Sequence, residues 1–454
     1  MAYDDLICGT IVTPDGPIQD GWVAVASGRI AEIGTGAEPD AERRHDSGGG
    51  LVLPGVIDGQ THAGSYGGLA GLASTTRSAI AGGVTTIVDM PYDNPEPLST
   101  VALLHDKIAA IDADAHCDVA LYATVMPGRG VGDVRALIEA GIVAFKISSF
   151  ESSPTRFPRI AADLMLDLLE ELAGTDIPLG LHNEDQEIVR ARMALARAQG
   201  QDGIAAHSAS RPLAAELSAS AAFLELGAAA GGHAHLVHLS HPRGFRLVEH
   251  YRGDGFRSTG ELCVHYLWFD PDTDGKTLGA LMKVNPPIRP GQCAALWAEI
   301  TEGRVAFVSS DHSSWPIDSK QTPSMFSAGA GVTGLETLLP AFFTGAEAQG
   351  LDAAALCAAQ LSERPAKFFG LWPQKGAIQV GADADLAVLT PETFRWDSAH
   401  AHDGLNWSPY DGRQFSARVS RTYLRGKLAW DGTDVRAQAG QGRYVRRGTS
   451  AWFR

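Results

Sequence analysis

The sequence predicts an α/β protein: a (β/α)8 barrel of TIM type carrying a small β-sandwich-like domain assembled from both termini. Three observations lead there. In the middle of the chain, short apolar runs recur with helix-period stretches between them, which is the texture of βα units and a parallel sheet. There are eight such runs, the number that closes a barrel. The two ends read differently: in residues 5–52 apolar positions alternate about Gly, Asp and Pro turns, as in Gly21–Gly34, and the same alternation returns in Ala384–Leu389 and Val419–Leu428. The expected domains are therefore 1–52 with 380–454 for the composite β unit, and 53–379 for the barrel.

Taken in order, the eight expected strands are Val56–His62, Val84–Met90, Val119–Val125, Val143–Ile147, Leu179–His182, Leu236–Leu239, Ser258–Cys263 and Val305–Asp311. Between them Ser99–Ile111, Asp163–Leu172, Leu213–Gly227 and Ala294–Glu302 carry apolar residues at helical spacing, and Ser210-Arg211-Pro212 supplies a helix start with proline in the first turn. No repeat of 20–50 residues is visible.

Composition narrows the function. The 454 residues are 44% hydrophobic and 20% charged, an ordinary globular balance. With 37 Lys and Arg against 53 Asp and Glu, the formal charge of −16 repels nucleic acid and acidic membrane surfaces, so neither is expected as a partner. The five cysteines are scattered and odd in number, giving neither a disulfide framework nor a zinc motif, which suits reduced thiols in a cytoplasm. The first residues lack the basic-then-apolar pattern of a secretory signal, and no apolar run reaches the roughly 20 residues of a bilayer span, so a soluble cytoplasmic protein is expected.

Sorting polar residues by their place along the strands gives the chemistry. His62, Lys146, His182, His238 and Asp311 fall at or near the C-terminal ends of strands one, four, five, six and eight. In a barrel those ends share one face, the catalytic one, so five residues distant in sequence converge on one pocket. Imidazoles with a carboxylate suit Zn²⁺ or Mn²⁺ better than Mg²⁺ or Ca²⁺. A lone histidine at a strand end is more often a hydrogen-bonded structural residue, and a lone lysine there can snorkel outward. Five together reverse that balance.

The local motifs are distinctive as a set. Leu53–His62 resembles the Pro-Gly-x-Ile-Asp-x-His-x-His opening of the cyclic amidohydrolases, the group of allantoinases, dihydroorotases and dihydropyrimidinases or hydantoinases. Gly83–Pro91, Phe145-Lys146, His182–Glu184, Ser210–Pro212, Val237–Ser240, Glu261–Leu267, Lys283–Arg289, Ser310–His312, Gly334–Thr337 and Ala382–Leu386 follow in that family's order. The resemblance implies a hydrolase that opens a cyclic amide, imide or ureide. It implies one or two divalent metal ions, zinc or manganese, with a carboxylated Lys146 as bridging ligand. His62 and Asp311 would hold one ion, and His182 and His238 the other. Asp311 would also act as catalytic general base, with Asn285 and Arg289 as substrate contacts. A homo-oligomer, dimer or tetramer, is implied as well.

Several positions depart from the family pattern. The first His of His-x-His is Gln60, two residues before His62 and so on the same strand face. An amide oxygen is a weaker zinc ligand than imidazole, so the first metal site should bind more weakly or be lost. Ser313-Ser314-Trp315 stands where relatives commonly continue Ala-Pro-His, His62–Gly68 lacks the arginine of dihydroorotases, and the tyrosine that dihydropyrimidinases place five residues after the lysine is Glu151. Two rival readings are a non-catalytic scaffold of the same fold and an amidohydrolase acting on an acyclic amide. Retention of the Lys146 and histidine set argues against the first, and the Asn-Pro-Pro turn at Asn285 against the second.

Overall fold

The computed structural model describes residues 2–453. The chain begins with four strands, β1 (Tyr3–Thr13), β2 (Gly16–Ala26), β3 (Arg29–Thr35) and β4 (Ala41–Pro54). β2 and β3 form a two-residue hairpin, with Ala26 opposite Arg29 and both Ser27 (φ 52°) and Gly28 (φ 78°) left-handed. Such a turn matches the right-handed twist of its strands, and glycine adopts it at no steric cost.

β4 leads through Gly55 straight into the barrel. The next strands are β5 (Val56–His62), β6 (Val84–Asp89), β7 (Asp118–Ala123), β8 (Ala144–Ser148), β9 (Pro178–His182), β10 (His233–Leu236) and β11 (Ser258–Gly260), all parallel and hydrogen-bonded in that order. Closure comes from short pieces. β12 (Leu262–Cys263) pairs with β13 (Val308–Ser309), and β14 (His312–Ser313) returns to β5, with Ser313 opposite His62. The seventh strand is thus interrupted at Glu261 and the eighth at Ser310-Asp311. Strands β6 to β11 are buried on both faces, as in other parallel sheets covered by helices, which is why they read as continuous apolar runs.

Two expected strands end differently. The expected sixth, Leu236–Leu239, shares only Leu236 with β10, and His238 lies beyond the strand in a left-handed turn (φ 41°). In the eighth, Asp311 is also left-handed (φ 49°) and outside the ladder. A left-handed residue reverses the pleat locally and so re-aims its side chain.

By length and apolar composition the helical stretch Ile204–Ala230 (mean hydropathy 1.3) could pass for a membrane span. Its Phe223 and Leu224 belong to the barrel core.

The chain ends with β15 (Leu386–Arg395), β16 (Gln414–Leu424) and β17 (Lys427–Trp430). β15 pairs antiparallel with β4, Leu386 opposite Pro54, so both termini share one seven-stranded sheet in the order β17-β16-β15-β4-β1-β2-β3. One face buries Ile7, Val23, Val25, Val52, Val388 and Tyr423 together. Beyond β17 the chain crosses to the barrel, where the Val119 and Val445 amides exchange bonds with Arg443 and Val119 carbonyls at 2.9 and 2.8 Å.

At the start of β7 the buried carboxylates of Asp118, Asp383 and Asp385 converge tightly enough to hold a metal ion. The Lys375 ammonium already occupies that position, 2.8 Å from Asp118, 3.3 Å from Asp383 and 2.5 Å from Asp385, and Arg425 completes the cluster on Asp118. This ionic knot ties the terminal sheet to the barrel. Lys375→Met is expected to cost about 3–5 kcal/mol, because it leaves buried carboxylates uncompensated. Urea denaturation checks this, and a loss under about 1 kcal/mol would contradict it.

Candidate metal-binding active site

The C-terminal ends of the barrel strands open into a cavity of about 380 Å³. Gln60, His62, Lys146, His182, His238, Asn285 and Asp311 all line it. Six of the seven site residues expected from sequence therefore meet in one place. Arg289 does not reach the lining: its guanidinium donates to Ser240 Oγ and Glu216 Oε2, both at 3.0 Å, and to the Arg211 carbonyl, bracing the loop behind the site.

His182 ends β9, and its Nε2 lies 2.9 Å from Glu184 Oε2, two residues on. That bond places the ring proton on Nε2 and leaves a lone pair on Nδ1, the arrangement by which a carboxylate orients a metal-binding histidine. Burial raises the Glu184 carboxyl, but Arg211 and His182 outweigh it and hold it down at about 2. The carboxylate is therefore fully charged and Arg211 is its counter-ion. His182 Nδ1 then points at His238 Nε2 across 2.9 Å, while His238 Nδ1 is buried with no partner.

On the other side of the cavity His62 ends β5. Its Nδ1 is 3.0 Å from Ser65 Oγ and its Nε2 is 3.4 Å from Asp311 Oδ1. Gln60, fully buried, donates its amide to the same Asp311 oxygen at 2.9 Å and leaves its own Oε1 without a partner. Asp58, on the same strand, accepts from the Ser310 amide and hydroxyl at 2.7 and 2.6 Å, which fixes the residue preceding Asp311.

Lys146 lies within β8 and is buried. Its Nζ has Met90 Sδ at 3.9 Å and, among the described residues, no carboxylate within ion-pair distance. Burial lowers its pKa, against the pull of Asp311 and Glu261. Glu261, at the break of the seventh strand, is itself pushed up to about 8, chiefly by burial.

These groups fit a divalent cation on their own chemistry. Two imidazole nitrogens 2.9 Å apart, one with a lone pair held toward the other, leave either facing lone pairs or an orphaned ring nitrogen on His238. A cation between the rings would remove the facing lone pairs, with the His238 ring proton then on Nδ1. A buried lysine amine with no counter-charge is equally incomplete, and its conversion to a carbamate would turn a non-ligand into an anionic oxygen donor.

The chain matches the amidohydrolase family over residues 51–429. It belongs to that family. This amidohydrolase is 38% identical to an allantoinase of Rubrobacter xylanophilus, over 98% of each chain, and 33% identical to an allantoinase of Deinococcus radiodurans, over 94% of this chain and 95% of that one. Among solved structures it superposes on the L-hydantoinase (dihydropyrimidinase) from Arthrobacter aurescens with a TM-score of 0.93 at 30% identity, covering 98% of this chain and 100% of the other.

The rest of the cavity wall was not legible from the sequence. Tyr66 lies against Trp315 (ring centroids 3.9 Å apart) and Tyr92 against Phe157 (3.7 Å), forming two aromatic pairs beside the histidines. Arg156 joins the lining from the loop after β8. These residues sit on loops with no periodic signal, and loops are where such folds vary their chemistry.

Glu184→Gln is expected to weaken divalent-metal affinity 10- to 100-fold, since it removes the carboxylate that fixes the His182 ring. Titration of the stripped protein with Zn²⁺ against a competing chelator measures it. An unchanged affinity would mean that Glu184 serves only Arg211.

Proposed function

We propose that this amidohydrolase opens a cyclic amide, imide or ureide by hydrolysis at a C–N bond, with allantoin- and hydantoin-like rings as its substrate class. The observation that carries the reading is the meeting of His62, Lys146, His182, His238 and Asp311 around one cavity, with Lys146 buried and, among the described residues, no carboxylate within ion-pair distance of it. The names of its relatives, allantoinases and an L-hydantoinase, support the same class.

In this reading His182, His238 and a carbamate on Lys146 hold one divalent ion, zinc or manganese, and His62 with Asp311 holds the second. Bound there, such an ion supplies Lewis acidity, lowering the pKa of a water toward neutrality and polarising the amide carbonyl. The protein groups do the rest. Gln60 and His62 both engage Asp311 Oδ1, which orients the carboxylate and leaves Oδ2 to take the proton of the attacking water. As the C–N bond breaks, Asp311 passes that proton to the departing ring nitrogen, and the product carries a new carboxylate. Asn285, whose Oδ1 is buried without a partner in the cavity wall, is placed to accept from a ring N–H. Arg289 acts from behind, by holding the loop that carries Asn285.

Asp311→Asn is expected to lower kcat by about 10²-fold or more while the protein stays folded, because an amide cannot accept the proton. Steady-state assays on allantoin and hydantoin, with circular dichroism as the folding control, check it; retention of a tenth of the activity would contradict the assignment.

Gln60 bears on the number of ions. Its amide nitrogen is committed to Asp311, so the His62–Asp311 side lacks the strong second imidazole that the neighbouring set keeps. Dialysed protein is expected to hold nearer one tight divalent ion per chain than two, and Gln60→His to raise the count toward two. Elemental analysis of both proteins decides it. Two tightly held ions in the wild type would overturn the claim.

A further inference from the structure

One cation in the cavity lining has no part in the chemistry above. Arg156 sits on the loop that follows β8, and this loop is bonded to itself. The Ser152 and Ser153 amides donate to the Phe157 carbonyl at 3.1 and 3.2 Å, Phe157 donates back to the Ser153 carbonyl at 3.0 Å, and the Arg156 amide donates to Ser153 Oγ at 3.3 Å. A loop closed in this way presents Arg156 at a defined place on the cavity wall. The guanidinium donates through Nη1 to the Ser65 carbonyl, on the loop after β5.

The other cations of the lining are accounted for. Arg211 pairs with Glu184, and the Lys283 ammonium donates to the Met325 and Ala328 carbonyls at 2.7 and 2.5 Å. Lys146 is the amine already described. Arg156 is half-buried, and among the described residues no carboxylate lies within ion-pair distance of it, although the chain has 53 acidic residues. Glu151, five residues before it, is turned to Arg190 at 3.1 Å. A guanidinium carries five N–H donors in a rigid planar fork, and among the described residues the side chain of Arg156 has one protein acceptor. The remaining donors face a cavity that holds the reacting ring in the reading above.

We infer that Arg156 recognises an anionic substituent on the substrate ring, so that the preferred substrates are cyclic ureides or imides bearing a carboxylate. This rests on the cyclic-amide reading of the same site. A carboxylate matches the fork with two parallel hydrogen bonds, and partial removal from water strengthens them. The alternative substituent, a neutral amide or ureido group, offers a single carbonyl acceptor and leaves the charge uncompensated. The aromatic pairs Tyr66–Trp315 and Tyr92–Phe157 supply apolar walls to the same cavity.

The test uses the full-length, metal-loaded enzyme and two isosteric rings, carboxymethylhydantoin and carbamoylmethylhydantoin, at low ionic strength. It reads kcat and KM for both, and by calorimetry the binding of their ring-opened products, N-carbamoylaspartate and N-carbamoylasparagine, which require no turnover. The acid is expected to exceed the amide about tenfold in kcat/KM, mainly through KM, and its product to bind about tenfold more tightly. Arg156→Gln should bring both ratios near one, and Arg156→Lys, which keeps the charge without the fork, should retain part of them. Ratios near one in the wild type, or unchanged in Arg156→Gln, overturn the inference whichever rings are opened. If neither ring is opened but the acid product still binds tenfold more tightly through Arg156, the hydrolase reading fails and the anion site stands.

Discussion

A primary amine buried inside a barrel without a carboxylate to pair it is the constraint around which this site is arranged. Burial disfavours the ammonium form of Lys146 and lowers its pKa, against the pull of Asp311 and Glu261. Its solutions are to stay neutral or to become something else. A neutral amine is the form that adds to carbon dioxide, losing one proton and gaining a carboxylate, and the product is an anion suited to sit among cations. His182 has its lone pair fixed by Glu184, His238 has a ring nitrogen left over, and Glu261 is pushed up to about 8, where it adds little negative charge of its own at neutral pH. On the proposed reading, these open groups are where a divalent ion would be held.

How much of this could be read from the sequence depends on where the backbone is regular. His62, Lys146 and His182 lie within strands, and the apolar runs that mark those strands place them directly. His238 and Asp311 were reached by the same count, yet neither is in a strand: each occupies a left-handed turn just outside the ladder. The turn follows the strand immediately, so the apolar pattern brings both residues to the strand ends, but nothing in the composition announces a positive φ at a histidine or an aspartate. The departure at Gln60 was visible as a substitution, whereas its bond to Asp311 was not, since that contact spans 251 residues. Arg156 had no signal at all. It lies in a loop of serine and proline, where only the fold decides which side chain meets the cavity.

The terminal sheet shows the same limit from the other side. Alternating residues identified strands at both ends, but the pairing that joins them, β4 with β15, is a contact between positions more than 300 residues apart. Its registration depends on charge as well as on apolar faces. Lys375 is drawn from the chain just before β15 into a cluster with Asp118 at the start of β7, and Arg425 approaches from the turn after β16. No short-range pattern marks these residues as partners.

The two ends of the barrel therefore treat buried polar groups in opposite ways. At the N-terminal end of β7 each charge has its counter-charge, and Lys375 excludes a metal from a nest of three aspartates by filling it. At the C-terminal end Gln60 Oε1, Glu184 Oε1, His238 Nδ1 and Asn285 Oδ1 are buried and unpartnered within one site. Unsatisfied buried groups destabilise a fold, by about 1–3 kcal/mol each, so a fold tolerates several together only when the rest of the molecule compensates. The knot at one end is saturated, whereas polar atoms at the other are left open, where the proposed reading puts an ion and a ring. Ser65 links the two demands placed on the open end. Its hydroxyl lies 3.0 Å from His62 Nδ1 and its carbonyl accepts from Arg156, so one residue steadies both the proposed metal ligand and the proposed recognition arm. On the proposed reading, recognition of the substituent and alignment of the catalytic face would share one short segment of backbone.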